Sequence, residues 1–99
     1  MTAETIGVVG LGAMGLGIAQ VFAAHGHPVI ATDCHTPTRD GALAKVRAVQ
    51  NKRVQAGKLD QSVADALAGR LQVTDSIDAL APCQLVIEAI IEDLSAKQA

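Results

Sequence analysis

Short apolar runs alternate with longer stretches of helical periodicity along this 99-residue chain. Thr5 to Val9 (TIGVV) is β-branched, apolar and ended by Gly10, which predicts a buried strand. From Met14 the spacing changes. Met14, Ile18, Val21, Phe22 and His25 fall at i, i+4, i+7, i+8 and i+11, one face of a helix that Gly26 stops. Pro28 to Thr32 (PVIAT) predicts a second strand, closed by Asp33, with Pro tolerated at its first position. Thr36-Pro37 is an N-cap and N1 pair for a long helix. There Leu43, Val46, Val49 and Val54 share a broad apolar side, Lys45 and Lys52 point away from it, and Gly57 ends it. Another helix starts at Asp60 or Ser62, turns Val63, Ala66 and Leu67 inward, and ends at Gly69. Leu71 to Thr74 (LQVT) is a third strand, and Asp75 to Leu80 a turn or one helical turn. Leu85 to Ala89, within LVIEAII, is the fourth and most apolar strand, and a last helix begins near Leu94.

The alternation is that of an open parallel α/β sheet. Right-handed crossovers place the four strands in the order 3-2-1-4, with a helical pair inserted between strands two and three. The fourth strand then lies at an edge with nothing after it to cover its open side, and the chain stops inside a predicted helix. Both features lead us to expect that residues 1–99 are the front part of a longer protein.

Composition changes this picture little. The chain is 49% hydrophobic yet holds one Phe and no Trp or Tyr, so Ala, Val, Ile and Leu must fill the core, as suits a sheet covered by helices. The net charge of -2 and the lack of aromatics that could stack on bases argue against nucleic acid. Charge is uneven, however: six of the eight basic residues fall between Arg39 and Lys58, where Asp40 is the only acid. No apolar run reaches the roughly 18 residues of a membrane span. The first strand starts too early to leave room for a signal peptide, and Cys34 and Cys83 form no CxxC pair, so we expect reduced thiols in a cytoplasmic protein.

The candidate chemistry lies at Gly10-Leu11-Gly12-Ala13-Met14-Gly15. A GxGxxG triplet alone says little, but this one follows a strand and opens a helix. In that setting the first glycine permits the tight turn, the second leaves room for a pyrophosphate, and the third lets the helix approach the strand. Helix-start N–H groups and the positive end of the dipole then face the phosphates. No Gly-Lys-Ser/Thr follows, which excludes a P-loop. Asp33 closes the second strand 18 residues after Gly15, where an acid reaches the adenosine 2'-hydroxyl. A carboxylate there opposes the extra phosphate of NADP, and Cys34-His35-Thr36 supplies no Arg, so NAD is the expected cofactor. Together these features specify a Rossmann-type domain.

IGVVGLGAMGLGIAQVFAAHGHPVIATD, LQVTDSIDAL and LVIEAIIEDLSAKQ resemble the N-terminal, NAD-binding domain of 3-hydroxyacyl-CoA dehydrogenases across essentially the whole chain. The more specific part runs from Val86 to Leu94, with Lys97 following. The resemblance implies reversible hydride transfer between NAD and the 3-hydroxyl of an acyl-CoA in fatty-acid β-oxidation, and homodimers built largely through C-terminal helices. It implies that Glu92 and Lys97 contact the cofactor towards its nicotinamide. It also implies that the helical pair holds coenzyme A, for which Lys45 and Lys52 are candidates, although Val49 falls where the family often has a contacting Ser. The family's catalytic His and Glu lie beyond the matched region, and His25, His27 and His35 match none of its catalytic positions. No catalytic residue is expected within 1–99. His25 is expected on the packed helix face, and His27 and His35 in solvent. Two other possibilities remain: an NAD-binding module without chemistry, and a short-chain β-hydroxyacid dehydrogenase, a class that shares GLGAMG but lacks the Glu92-Lys97 segment.

Overall fold

The computed structural model describes residues 4–89. Strand β1 (Ile6–Val9) leads into helix α1 (Ala13–Ala24) and strand β2 (Val29–Thr32). Helices α2 (Thr36–Gln55) and α3 (Gln61–Arg70) follow, then strand β3 (Leu71–Val73), a 3-10 turn (Ile77–Leu80) and strand β4 (Leu85–Glu88). The sheet is fully parallel in the order β3-β2-β1-β4, with the paired helices between β2 and β3, as expected. Ile6 faces Val29 on one side and Leu85 on the other. Ladder bonds carry the register past the strand ends: Gly10 N–H donates to Thr32 O at 2.8 Å, and Ala89 N–H to Val9 O at 2.7 Å. These bonds bring the carboxyl ends of β1, β2 and β4 level with one another, and the glycine turn leaves from that edge.

The core lies where β1 and β2 meet the helices. Ile6, Val8, Val29 and Ala31 from the strands are sealed by Leu16, Ala19 and Ala23 of α1 and by Ala42 and Val46 of α2. Two polar links tie the helices together. Gln50 of α2 donates to Gln20 of α1 at 2.7 Å, and Arg70 at the end of α3 donates to the Ala23 carbonyl at 2.8 Å. The Arg70 bond satisfies a carbonyl in the last turn of α1, where a cation also suits the dipole.

The inward faces of the helices differ from those expected. Met14 and Val21 are half exposed, and α1 instead buries Gly15, Leu16, Ala19 and Ala23. On α2, Val49 points outward while Ala42, Val46 and Gln50 are buried; on α3, Val63 and Ala66 are exposed and Ala64, Leu67 and Ala68 are buried. The reason is shared. These helices lie close to the sheet and to each other, and close approach selects small side chains, which a search for large apolar residues passes over. His25 is exposed rather than packed, whereas His27 is half-buried, edge-on to Phe22, with Nδ1 3.0 Å from the Glu4 carbonyl. Thr36 is the first helical residue of α2 and His35 its cap, one position earlier than expected. Helix α3 passes through Gly69 and runs directly into β3.

Among the described residues strand β4 is an edge of the sheet, and Leu85 and Val86 are each 46% exposed on it. No helix among the described residues is long and apolar enough to cross a membrane.

Candidate functional site at the carboxyl edge of the sheet

The glycine turn is shaped by two different steric demands. Gly10 has φ +101°, a left-handed conformation that side chains rarely adopt, and this reverses the chain directly off β1. Gly15 sits one helical turn further on, under the loop. A Cβ there would collide with the Gly10 carbonyl oxygen and lie 2.8 Å from its carbon, so only glycine lets α1 descend onto the end of β1. Gly12 is constrained by neither demand. It caps α1 in an extended conformation, and a Cβ on it would meet nothing within 4 Å. The space before Gly12 is therefore open to a ligand.

No side chain caps the start of α1 among the described residues. The first-turn N–H groups of Ala13, Met14 and Gly15 have no intrahelical acceptor, as at any helix start. They face outward with the positive end of the dipole. Met14 is half exposed at this mouth, while Leu11 turns its side chain into the core.

Asp33 is held across the crevice from this turn. Its Oδ2 accepts the Leu11 N–H at 2.6 Å and its Oδ1 accepts the His35 N–H at 2.8 Å. Two amides from different loops thus fix the orientation of one carboxylate. Partial burial pushes the Asp33 carboxyl up, but the amide bonds from Leu11 and His35, with the charges of His35 and Arg39, outweigh it. The group lies below its ordinary value of 3.8 and is ionised at neutral pH. Each oxygen retains acceptor capacity for a hydroxyl.

The turn and the acid together wall a cleft of about 360 Å³, lined by Val9, Gly10, Gly12, Asp33, Cys34, His35, Thr38 and Ala89. Its walls come from the carboxyl ends of β1, β2 and β4, where open α/β sheets bind ligands. Cys34 exposes a free thiol beside it. The fit to a dinucleotide rests on the cradle: an unfilled space before Gly12, helix-start donors, and a fixed acid opposite. A larger crevice of about 480 Å³ is lined by Arg39, Asp40, Leu43, Val73, Thr74 and Asp75.

Two features of the site were not read from the sequence. One is the Leu11 amide as the clamp on Asp33, a contact between residues 22 apart. The other is Arg39, which donates from Nη1 to the Asp33 carbonyl at 3.3 Å. The expectation that no Arg lies near Asp33 looked only at the next three residues, and the first turn of α2 returns Arg39 to it. A count of one helical turn beyond Thr36 would have found it. Lys45 and Lys52 are both exposed on α2, away from the cleft. Glu92 and Lys97 lie outside the described residues.

An open parallel sheet with a glycine turn at its carboxyl edge and an acid across the crevice defines a Rossmann-type, NAD-binding domain. Residues 5–99 match the family model described as "3-hydroxyacyl-CoA dehydrogenase, NAD binding domain". The chain belongs to that family. It is 41% identical over 96 residues to the 3-hydroxyadipyl-CoA dehydrogenase of Escherichia coli strain K12, a match covering 97% of this chain and 20% of the relative. It is 37% identical over 95 residues to the human peroxisomal bifunctional enzyme, covering 96% of this chain and 13% of that protein. The crystal structure of a 3-hydroxybutyryl-CoA dehydrogenase from Escherichia coli K12 superposes with a TM-score of 0.85 at 39% identity, covering 99% of this chain and 21% of that one. The chain thus spans about a fifth or less of the length of these relatives.

Proposed function

We propose that this domain holds NAD for the reversible oxidation of the 3-hydroxyl of an acyl-CoA to a ketone, the activity its relatives are named for. The hydride chemistry belongs to the cofactor, and the protein binds and orients it. In this reading the N–H groups of Gly12, Ala13, Met14 and Gly15 receive the pyrophosphate, with Gly10 forming the turn. Leu11 acts one step back, by fixing Asp33, whose carboxylate accepts the adenosine ribose hydroxyls. Glu92 and Lys97 follow the carboxyl end of β4 in sequence and are proposed to contact the cofactor towards the nicotinamide. Lys45 and Lys52, seven residues apart on α2, are proposed to meet the phosphates of coenzyme A.

The observation that carries this reading is the Asp33 carboxylate, ionised and clamped by two backbone amides opposite an open glycine turn. A general base must come within hydrogen-bond reach of the hydroxyl proton. His27 sits at the amino end of the sheet, bonded to the Glu4 carbonyl, and His25 follows the end of α1. His35 is at the ribose end of the cleft. We read none of these three as the proton acceptor, which is proposed to come from outside residues 4–89. The domain is proposed to work as the N-terminal, cofactor-binding part of a unit that oxidises 3-hydroxyacyl-CoA, homodimeric as in the family. Cytoplasmic residence is our reading for this chain, although one relative is named as peroxisomal.

Titration with NAD and NADP, followed by amide shifts at Gly12 and Asp33, tests the assignment. We expect NAD to shift both amides, and Asp33→Ala to weaken NAD and relax discrimination against NADP. Unchanged affinity for both cofactors in Asp33→Ala would remove the ribose contact.

A further inference from the structure

We infer that Arg39 is a second determinant of coenzyme choice, a cation held behind Asp33 that comes to serve a 2'-phosphate once the Asp33 carboxylate is taken away. This rests on the reading of Asp33 as the ribose ligand. Asp33 lines the cofactor cleft together with Gly10 and Gly12. Arg39, which lines a second crevice with Thr74 and Asp75, donates to the Asp33 main-chain oxygen at 3.3 Å and so links the two.

The position of Arg39 is unusual on charge grounds. It is the fourth residue of α2, near the positive end of the helix dipole, where a cation is disfavoured. Its side chain is only 19% exposed. Its one ion pair among the described residues is loose: Nε is 3.8 Å from the Asp40 carboxylate, which is itself 69% exposed and contributes little in solvent. The guanidinium is thus kept beside Asp33 by a single bond to a neutral carbonyl, and it retains donors for an anion. In this reading a 2'-phosphate on a ribose held at residue 33 meets the Asp33 carboxylate in the native chain. In Asp33→Ser the same phosphate comes within reach of Arg39, whose acidic neighbours among the described residues are the exposed Asp40 and Asp75.

The test is calorimetric titration of NAD and NADP into the 99-residue chain as wild type, Asp33→Ser, Arg39→Ala, Asp33→Ser/Arg39→Ala and Asp33→Ser/Arg39→Lys. A charge-assisted contact predicts that NADP binds the Asp33→Ser variant at least about tenfold more tightly than wild type. Adding Arg39→Ala should lower the NADP affinity of the Asp33→Ser variant at least about threefold, leaving only the relief of the Asp33 repulsion, while changing NAD affinity less than about threefold, and Arg39→Lys should keep part of the Arg39 contribution. An NADP gain undiminished by Arg39→Ala, or an equal loss of both cofactors on removing Arg39, overturns the role for Arg39 and leaves the ribose assignment standing. Failure of wild type to bind NAD, or an Asp33→Ser variant that binds NAD as tightly as wild type, overturns both.

Discussion

Replacing Gly12 and Gly15 separately by Ala should separate binding from folding within one loop. At Gly15 the added methyl would overlap the Gly10 carbonyl oxygen and sit 2.8 Å from its carbon and 3.3 Å from the Ala89 Cβ. Two of these three atoms are backbone, and Gly10 is tied to β2 by its bond to the Thr32 carbonyl. The loop cannot yield without disturbing the ladder. Overpacking of this kind costs about 1–3 kcal/mol, and the rigid partner places Gly15→Ala towards the upper end. Ala in place of a helical Gly returns up to about 1 kcal/mol, leaving a net loss near 2 kcal/mol. For a domain of this size each kcal/mol moves Tm by roughly 4–8 °C, so a fall of roughly 8–16 °C is expected. Gly12→Ala meets no atom within 4 Å and keeps an allowed φ of -67°, so only the cap preference is lost. That costs a few tenths to about 1 kcal/mol, a fall in Tm of roughly 1–8 °C. Its methyl nevertheless enters the space assigned to the pyrophosphate, and NAD affinity should fall at least about tenfold, or 1.4 kcal/mol. Circular dichroism melts and NAD calorimetry on the two variants decide it. A Gly12→Ala protein that binds NAD like wild type, or a Gly15→Ala protein that melts with wild type, refutes the division of labour.

Three further outcomes follow from the same geometry. A carboxyl whose folded pKa lies below its unfolded value stabilises the fold above the unfolded value and loses that contribution as pH falls through the folded one. Asp33 should therefore contribute fully above its ordinary 3.8 and lose the contribution below it; Asp33→Asn should flatten the acid side of the Tm-pH curve, and parallel curves would exclude such a role. Iodoacetamide should label exposed Cys34 well before Cys83, whose thiol burial pushes up, and saturating NAD should slow the Cys34 reaction specifically. Mass spectrometry of the two peptides reads this, and equal protection of both cysteines would point to global tightening instead. Charge reversal at Lys45 and Lys52 should weaken coenzyme A binding and flatten its dependence on salt while sparing NAD; an unaltered coenzyme A titration would return both lysines to the solvated face.

The alternating pattern of short apolar runs and helical stretches was enough to define the strand order, because chirality and parallel pairing leave few topologies for it. The glycine spacing and the acid that closes β2 were legible for a similar reason: each is a backbone requirement written in residue type at fixed separation. The inward faces of the helices were not legible. Ala19, Ala23, Ala42 and Ala64 line the closest contacts while Met14, Val21, Val49 and Val63 face out, since how near two elements approach is decided by the whole packed assembly. The Leu11 clamp on Asp33 was beyond the sequence, because that amide reaches the carboxylate from another loop and depends on how β1 and β2 sit together. Arg39 could have been counted one helical turn past Thr36, but its bond to the Asp33 carbonyl depends on how α2 leaves β2. Local sequence set which groups could bind a dinucleotide, and tertiary packing set the charge, orientation and neighbours of the acid that would choose between two of them.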